Sequence, residues 1–562
     1  MSARWVAAAV PPSVAELVRS GHARPLADLL ALRGIASAAD AERYLRPRRE
    51  HLAESPPLSG LVEAAGRLAD AVRRHERIVV FGDYDVDGVS SSAILGASLR
   101  AGGAEVEVVL PRRDGDGYGL QAAQVRRAAD SGARLLVALD SGTNAFEAWE
   151  AARNLGLELI VVDHHLPAGG ETSDHVLLVN PRAAPCAPAQ AELTAAGLAL
   201  ALAARLLNEL GREVPWEALL RVACLGTIAD VAPLVGDNRA VAALGLAALS
   251  EARSPGLRAL MEIAGVRHPV RASDVAFRLA PRLNAAGRLA SADEALELLL
   301  TRDPSRAREL AELLDRRNGE RQRLEEVIVE DARGLAARDP LPGIVAAWSA
   351  AWHRGVVGVA AARLARELHR PTVLLVVEES TATGSGRSVA GLPLHDLLRP
   401  FADRMLRFGG HAQAIGLTVE SERLDELRSA WQAAAEPWLD RLARRERRYD
   451  LPLAVHEVGA GLLAQLESME PFGAGNEEPI FRLGPLRLAG TPRQFGRGHL
   501  AFQAAAETGR GALSVVAWKH AENESSWLQG RFELLAAVER DRFTGIRLRL
   551  VEARPWRDGA NE

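Results

Sequence analysis

The sequence predicts an α/β protein in which two α/β lobes are joined by a long helix and followed by a small C-terminal β-barrel. Helix-forming and strand-forming segments alternate between residues 61 and 179, and a second alternating block follows from about residue 341. Residues 310–334 form one charge-rich helical stretch, which is typical of a solvated connector. From residue 450 onward, short β-prone segments are separated by glycine turns.

Composition limits the class of protein. The chain of 562 residues is 48% hydrophobic and 25% charged, which is ordinary for a globular protein of three or four domains. It contains no apolar run of about 18 residues, so we expect no transmembrane helix. The cysteines, Cys186 and Cys224, are too few for a disulfide framework or a cysteine-bound zinc site, and we expect a cytoplasmic location. The net charge of −5 neither indicates nor excludes nucleic-acid binding.

The first two segments cover residues 1–55 and 56–250. Residues 1–55 are predicted as a helical segment with helices at 14–19, 25–32 and 38–45. Residues 56–250 are predicted as the first α/β lobe, whose sheet is parallel because a helix separates successive strands. The strands of this lobe are predicted at 78–81, 106–110, 135–139, 159–162 and 176–179, and its main helices at 61–74, 90–99, 121–129, 146–154, 193–210 and 216–229.

Residues 251–338 are predicted to be almost wholly helical and to end in the long connector helix. The stretch 281–289 is expected to interrupt the helices. Residues 339–445 are predicted as the second α/β lobe. Its predicted strands are 344–348 and 372–377, its helix is 357–368, and its small-residue loops are 384–388 and 408–414.

Residues 450–562 are predicted as a small barrel or sandwich, for which an OB-fold is one candidate. Three aromatic side chains here, Phe495, Phe502 and Trp518, are candidates for stacking on nucleic-acid bases. Burial in the barrel core is the alternative for each of them. The predicted strands are 481–483, 486–488, 500–503, 513–516, 532–538 and 546–551.

Acidic residues follow three of the predicted strands of the first lobe. Because the carboxyl ends of parallel strands meet at one edge of a sheet, these groups should converge. A single Asp-rich turn is also explained as solvated surface, and a single histidine pair as structural. Three acidic strand ends together favour a shared site. The residues are Asp83, Asp85 and Asp87, then Asp140, and then the run Asp163-His164-His165.

Hard oxygen ligands with one imidazole suit Mn²⁺ or Mg²⁺. Several carboxylates could hold two ions roughly 3.5–4 Å apart, the arrangement used for phosphoester hydrolysis. His165 could then donate a proton or bind a phosphate. The candidate ligands are Asp85, Asp87, Asp140, His164 and, at the end of a predicted helix, Asp230.

The small-residue loops of the second lobe give weaker indications. Gly409 and Gly410 could bring backbone N–H groups close to a phosphate, and Arg387 and Ser388 could clamp one. A turn is the commoner explanation for Gly409 and Gly410, and a surface turn explains the loop of Arg387 and Ser388 equally well.

Four motifs in this order resemble those of the DHH phosphoesterase superfamily: Asp-Tyr-Asp-Val-Asp-Gly (83–88), Asp-Ser-Gly-Thr (140–143), Asp-His-His (163–165) and Gly-Thr-Ile-Ala-Asp (226–230). The run 409–416 is similar to the signature of the DHH-associated domain. Arg-Leu-Asn-Ala-Ala-Gly-Arg (282–288) and Pro-Phe-Gly-Ala-Gly-Asn (471–476) resemble the RecJ family in particular. The resemblance covers nearly the whole chain, and the ordered set is far more specific than the three-letter motif.

This resemblance implies a metal-dependent 5′-to-3′ exonuclease that hydrolyses single-stranded DNA in DNA repair and recombination, with two Mn²⁺ or Mg²⁺ ions as cofactors. It also names the domains. Residues 56–250 would be the DHH catalytic domain with the parallel sheet, residues 339–445 the DHH-associated, substrate-binding domain, and residues 450–562 the OB-like barrel.

The resemblance further implies a role for each motif residue. His165, together with Asp163, would be catalytic. The metal ligands would be Asp85, Asp87, Asp140, His164 and Asp230, with Asp83 as a ligand or a support. The substrate-binding residues would be Arg113, Tyr118, Asn284, Arg288, Arg387, Ser388, Gly409, Gly410 and His411.

The expected partners are single-stranded DNA, a single-strand-binding protein and a RecQ-type helicase, the last two from the resemblance alone. We expect a monomer that binds no membrane. Two other functions stay open from the sequence. One is a DHH-type phosphodiesterase for short oligonucleotides or cyclic dinucleotides, and the other is a non-enzymatic scaffold for DNA replication.

Overall fold

The computed structural model describes residues 3–54, 56–111, 119–169, 173, 175–338, 343–443, 446–496, 498–507, 511–518 and 527–557. The N-terminal segment begins with a strand that the sequence does not predict, and four short helices follow. One helix start is explained by Ser37, whose hydroxyl accepts a hydrogen bond from the backbone of Asp40. The elements are β1 (Arg4–Ala7), α1 (Val14–Arg19), α2 (Arg24–Leu32), α3 (Ala38–Leu45) and α4 (Arg49–Glu54).

The first α/β lobe is built on a five-stranded parallel sheet, as predicted. Its elements are α5 (Leu61–Arg73), β2 (Ile78–Phe81), α6 (Val86–Gly102), β3 (Val106–Val109), α7 (Ala122–Asp130), β4 (Leu135–Leu139), α8 (Phe146–Leu155), β5 (Glu158–Val162), β6 (Val176–Val179), α9 (Ala195–Glu209), α10 (Trp216–Ala229) and α11 (Gly236–Ser250). The strand order is β3-β2-β4-β5-β6. Helices α5, α6 and α9 cover one face and α7 and α8 the other, so the sheet is buried on both sides.

A helical region follows, and the stretch predicted to interrupt it is itself a helix. The elements are α12 (Pro255–Ile263), α13 (Ala272–Asp274), α14 (Ala280–Leu289), α15 (Asp293–Leu300) and α16 (Pro304–Arg338). The prediction of an interruption at 281–289 is wrong because α14 continues directly from a π-helical turn at Val275–Leu279, and Pro281 lies just after that turn without ending the helix. Helix α16 is the predicted connector. Its first half packs in the core beneath the first lobe and its second half packs against the second lobe.

The second α/β lobe has a mixed five-stranded sheet. Its elements are β7 (Val345–Ser349), α17 (Val357–Leu368), β8 (Thr372–Glu378), β9 (Thr381–Arg387), α18 (Leu394–Leu398), β10 (Arg407–His411), β11 (Ala414–Glu420), α19 (Leu424–Ala435) and α20 (Leu439–Ala443). The order is β10-β11-β9-β8-β7, and only β7 and β8 run parallel. The two predicted small-residue loops therefore lie largely on strands β9 and β10, which is a correction. Gly384 is required there because a Cβ atom would lie 1.9 Å from the Leu374 carbonyl oxygen.

The C-terminal region is a closed five-stranded barrel, which confirms the predicted OB-like domain. Its elements are β12 (Glu446–Tyr449), β13 (Leu451–Pro452), α21 (Ala460–Ser468), β14 (Phe481–Phe495), β15 (His499–Ala506), β16 (Ala512–Ala517), β17 (Phe532–Asp541) and β18 (Gly545–Pro555). Strand β14 closes the barrel by pairing with both β15 and β17. The two strands predicted at 481–488 are one long strand, whose register shifts between Leu483 and Leu486.

The first and last segments of the described chain share one hydrophobic core. Strand β1 pairs in parallel with β12, and Arg4 lies opposite Glu446. Leu29 and Leu30 of α2 are fully buried in the same cluster as Phe481 and Leu534 of the barrel. The N-terminal helices thus pack as part of the barrel domain. Among the helices of the described residues, none combines the length and the apolar character needed to cross a membrane.

Candidate metal centre

The acidic strand ends of the first lobe converge at the carboxyl edge of its sheet, as predicted. His164 lies near the centre. Its Nε2 is 3.2 Å from Asp140 Oδ1, 3.7 Å from Asp87 Oδ2 and 4.0 Å from Asp230 Oδ2. Asp83, Asp85 and Asp140 form a second group whose ligand atoms lie within 4.8 Å of one another. Asp140, His164 and His165 form a third group by the same criterion, and overlapping groups of donors fit a site for more than one cation.

The turn between β2 and α6 positions Asp85 and Asp87. Asp85 is the N-cap of α6, and its Oδ1 accepts hydrogen bonds from the backbones of Asp87 at 3.0 Å and Gly88 at 3.1 Å. This cap starts the helix at Val86, four residues before the predicted start. Asp87 in turn accepts from the backbones of Ala195 at 2.9 Å and Ala196 at 3.0 Å, at the N-terminus of α9.

Asp140 occupies a special backbone conformation. Its φ of 59° places it in the left-handed region, which aspartate and asparagine tolerate better than most residues. It is 3% exposed, and its neighbours are the other carboxylates of the site. The strand end therefore holds a buried carboxylate in a conformation that few side chains accept.

Crowding of buried carboxylates perturbs their protonation. Burial and then the neighbouring Asp230 raise the pKa of Asp87 well above its usual range, and burial and then Asp85 do the same for Asp140. The same causes raise the pKa of Asp230 to about 7. Within the described ranges, no arginine lies within 4.0 Å of the carboxylates of Asp87, Asp140 and Asp230. Oxygen donors crowded in this way fit Mn²⁺ or Mg²⁺, which would neutralise them.

These pKa shifts predict that Mn²⁺ affinity rises with pH. The folded metal-free protein holds a proton on Asp230 below about pH 7, and metal binding must displace that proton. Below this pH, the apparent Kd for Mn²⁺ should therefore fall by roughly tenfold for each unit that the pH rises, for each proton released. Calorimetric titration with Mn²⁺ at pH 5.5, 6.5 and 7.5 measures it. An affinity that does not change over this range would contradict the raised pKa. The variant Asp230→Asn, which has no proton to displace, should bind more weakly and depend less on pH.

The two adjacent histidines are held in opposite protonation states. Burial and then the charge of His165 lower the pKa of His164 to about 4, so its imidazole is neutral and has a lone pair for a metal. Burial is the largest effect on His165 and opposes its protonation, but the hydrogen bond from its Nδ1 to Asp163, at 2.7 Å, and the negative charges of Asp163 and other nearby aspartates together outweigh burial and raise the pKa to about 9. Asp163 also accepts from the backbone of Thr143, and its pKa stays below the usual range despite burial, mainly because of His165.

The predicted substrate-binding residues lie in several places. Arg113 and Tyr118 lie outside the described residues. Gly409, Gly410 and His411 lie on β10, and burial followed by the charges of Arg387 and His165 lowers the pKa of His411. The electrostatic effect of His165 on His411 indicates that this part of the second lobe lies near the metal centre.

Two serines beside Arg387 differ in their surroundings. The Ser388 hydroxyl donates to the Leu392 carbonyl oxygen at 2.5 Å, within a turn. Ser385 lies on the same face of β9 as Arg387, and both approach Gly358 in the first turn of α17, where a Cβ atom would lie 3.2 Å from each side chain. Ser385 is not among the residues predicted from the sequence, although the strand alternation at 385 and 387 is the signal that places it beside Arg387.

The barrel aromatics separate into core and surface. Phe502 is 4% exposed and packs against Trp527 and Phe532, so core burial is confirmed for this residue. Trp518 is 45% exposed, and its ring lies edge-on to Phe495 with 5.7 Å between the ring centroids. Only these two of the three candidates remain available for stacking.

Comparison with known proteins agrees with this geometry. The DHH family, N-terminal domain, matches residues 77–227, the DHHA1 domain matches residues 341–436, and the RecJ OB domain matches residues 449–550. The single-stranded-DNA-specific exonuclease RecJ of Dickeya dadantii is 37% identical over 493 residues, which are 82% of this chain and 84% of the relative. The chain belongs to the RecJ family. The RecJ of Bacillus subtilis is 35% identical over 83% of this chain, but the chain spans only 59% of that relative's length.

Solved RecJ structures extend the match to the whole chain. The crystal structure of Thermus thermophilus RecJ in complex with Mn²⁺ has a TM-score of 0.83 and 32% identity, and covers 99% of this chain and 80% of that one. The same protein in complex with Mg²⁺ gives a TM-score of 0.78 and 31% identity, with 99% and 79% covered. The RecJ fold thus accommodates both of the ions that the donor set predicts.

Proposed function

We propose that this RecJ-family chain is a metal-dependent exonuclease that hydrolyses the phosphodiester bonds of single-stranded DNA from the 5′ end. The observation that carries the proposal is the cluster of carboxylates and His164 at the sheet edge, with His165 close enough to the second lobe to affect His411 electrostatically. Metal ligands near an arginine that can bind a phosphate are an arrangement suited to phosphodiester hydrolysis. The relatives are named single-stranded-DNA-specific exonucleases.

The residues of the centre divide the chemistry between them. Bound Mn²⁺ or Mg²⁺, in our proposal two ions, would supply a water of lowered pKa and would neutralise charge on the phosphate. Asp163 holds the His165 imidazolium by a hydrogen bond to Nδ1 at 2.7 Å, which stabilises the positive charge that would attract a phosphate oxygen. The proposed ligands are Asp83, Asp85, Asp87, Asp140, His164 and Asp230.

Residues of the second lobe would hold the 5′ end. Arg387 and Ser385 lie at the first turn of α17, where backbone N–H groups and the helix dipole favour an anion. Gly409, Gly410 and His411 of β10 lie on the neighbouring hairpin. Arg288, Arg113 and Tyr118 would contact further phosphates, as the resemblance implies.

The direct test is digestion of one oligonucleotide labelled at either its 5′ or its 3′ end, in Mn²⁺. Early release of the 5′ label as the shortest product, with the 3′ label shortening stepwise, is the expected result. Early release of the 3′ label would refute the proposed direction. A duplex of the same sequence is the control and should resist digestion. The alternative, a phosphodiesterase for short oligonucleotides, predicts that a dinucleotide is cleaved faster than a 40-residue strand, and the OB barrel argues against it.

The opposite protonation states of the two histidines predict that substituting each one has a different effect. His165→Gln should lower kcat by roughly 10²–10³-fold, since a charged donor to the phosphate is lost, but it should leave Mn²⁺ affinity within about threefold. His164→Gln should instead weaken Mn²⁺ binding by at least about tenfold, because the neutral imidazole is a ligand. Activity assays and calorimetric titration on both variants separate the roles. Equal loss of Mn²⁺ binding in both would contradict this assignment.

We place the proposed activity in DNA repair and recombination in the cytoplasm. The proposed partners, a single-strand-binding protein and a RecQ-type helicase, would supply and present the single strand, and the chain would act as a monomer. Size-exclusion chromatography with light scattering tests the last point, and a mass of twice 60.1 kDa would refute it.

A further inference from the structure

Helix α14 lies directly behind the acidic turn. The side-chain Oδ1 of Asn284 accepts a hydrogen bond from the backbone N–H of Val86 at 3.2 Å. One turn further on, Gly287 approaches the turn so closely that a Cβ atom would lie 2.4 Å from the Tyr84 carbonyl oxygen. The run 282–288 therefore contacts the backbone on both sides of Asp85.

The hydrogen bonds at the start of α6 show why Asn284 is needed. The first N–H groups of a helix have no partner within the helix and need one elsewhere. The side chain of Asp85 accepts from Asp87 and Gly88, and its carbonyl oxygen accepts from Val89. The N–H of Val86 is the one donor of this turn that Asp85 does not satisfy, and Asn284 satisfies it.

This arrangement fixes a metal ligand from two sides. Because Oδ1 of Asp85 accepts the capping hydrogen bonds, Oδ2 is the oxygen left for a cation, and its position follows from the geometry of the turn. Helix α14 is itself held in place. Leu283 is 1% exposed in the core, and Arg282 forms an ion pair with Asp315 of α16 at 2.8 Å. A rigid support of this kind keeps Asp85 and Asp87 in one geometry.

We propose that Asn284 is a positioning residue for the metal centre, acting through the backbone of Val86, rather than a contact to DNA. This role deepens the exonuclease function proposed above. The expected effect on catalysis rests on that function, whereas the test, which measures metal binding, does not. Removing the acceptor oxygen leaves an unsatisfied N–H at the turn and loosens Asp85. The effect should appear first in metal affinity.

The test compares Asn284→Ala, Asn284→Asp and Arg288→Ala by calorimetric titration with Mn²⁺ in the absence of DNA, and by KM and kcat for a labelled oligonucleotide. Asn284→Ala should bind Mn²⁺ about 10–100-fold more weakly, with KM for DNA at saturating Mn²⁺ within about twofold of the wild type. Asn284→Asp keeps the acceptor and should retain Mn²⁺ affinity within about threefold. Arg288→Ala, on the same helix, is the control and should raise KM without changing Mn²⁺ binding.

Unchanged Mn²⁺ affinity in Asn284→Ala, or a raised KM at unchanged affinity, would overturn the proposal. An equal loss of Mn²⁺ affinity in Asn284→Ala and Asn284→Asp would also overturn it, because the acceptor oxygen would then not be the group that positions the turn. Mn²⁺ binding is measured without DNA, so this test still decides the role of Asn284 if the exonuclease proposal fails.

Discussion

Replacing Asp140 by asparagine is expected to lower nuclease activity by at least about 10³-fold and, in the absence of metal, to raise the melting temperature. The loss of activity follows because Asp140 belongs to two of the three groups of candidate ligands. Asparagine tolerates the φ of 59° at this position, so the backbone should not change. The digestion assay in Mn²⁺ measures the first effect, and thermal unfolding in EDTA measures the second.

The sign of the stability effect follows from the raised pKa of Asp140. A carboxyl whose pKa is higher in the folded than in the unfolded state binds a proton preferentially when folded, so the protein loses stability as pH rises above the ordinary value for aspartate. Removing that group should therefore raise the metal-free melting temperature more at pH 8 than at pH 5. Mn²⁺ should raise the melting temperature of the wild type and have little effect on the variant. A variant that is active, or less stable in EDTA at pH 8, would contradict this account.

Deleting residues 446–562 is expected to make the remaining chain aggregate, a larger effect than loss of DNA affinity alone. The apolar sides of α1 and α2 would lose their partner, since Leu17, Leu29 and Leu30 are fully buried in the core that includes the barrel. Exposing each leucine costs about 1.5–3 kcal/mol, and the sum is comparable with the stability of a whole domain.

The matched control for this deletion removes both parts of the shared core. A chain of residues 56–445 should stay soluble and bind Mn²⁺, whereas a chain of residues 1–445 should precipitate or bind an apolar dye. Light scattering and dye fluorescence at equal protein concentration distinguish the two. A monodisperse chain of residues 1–445 with no dye binding would show that the shared core contributes little.

The convergence of the candidate ligands was predictable because it depends on local sequence and on the topology of the sheet. Each of Asp83, Asp140 and Asp163 follows an apolar run, and the parallel arrangement of those runs brings their carboxyl ends together without further information. The donor types then indicated the metal. What the sequence could not show was the support behind the turn, because the hydrogen bond from Val86 joins residues about 200 positions apart.

Other features were missed for identifiable reasons. Strand β9, Thr-Ala-Thr-Gly-Ser-Gly-Arg, consists mainly of small residues whose alternation does not stand out by hydrophobicity, so residues 384–388 were predicted as a loop and Ser385 was not considered together with Arg387. Helix α14 contains Pro281, Asn284 and Gly287, and its helical state depends on packing against α6 and α16 rather than on helix propensity.

The pairing of β1 with β12 has a consequence for synthesis. The first helices leave the ribosome early, but the barrel that covers their apolar faces is made about 440 residues later. At roughly 5–20 residues per second, those leucines would stay uncovered for about 20–90 s while the two lobes fold between them. The nascent chain therefore presents a leucine-rich helical segment to molecular chaperones throughout translation, and the metal centre can form before the two ends of the fold meet.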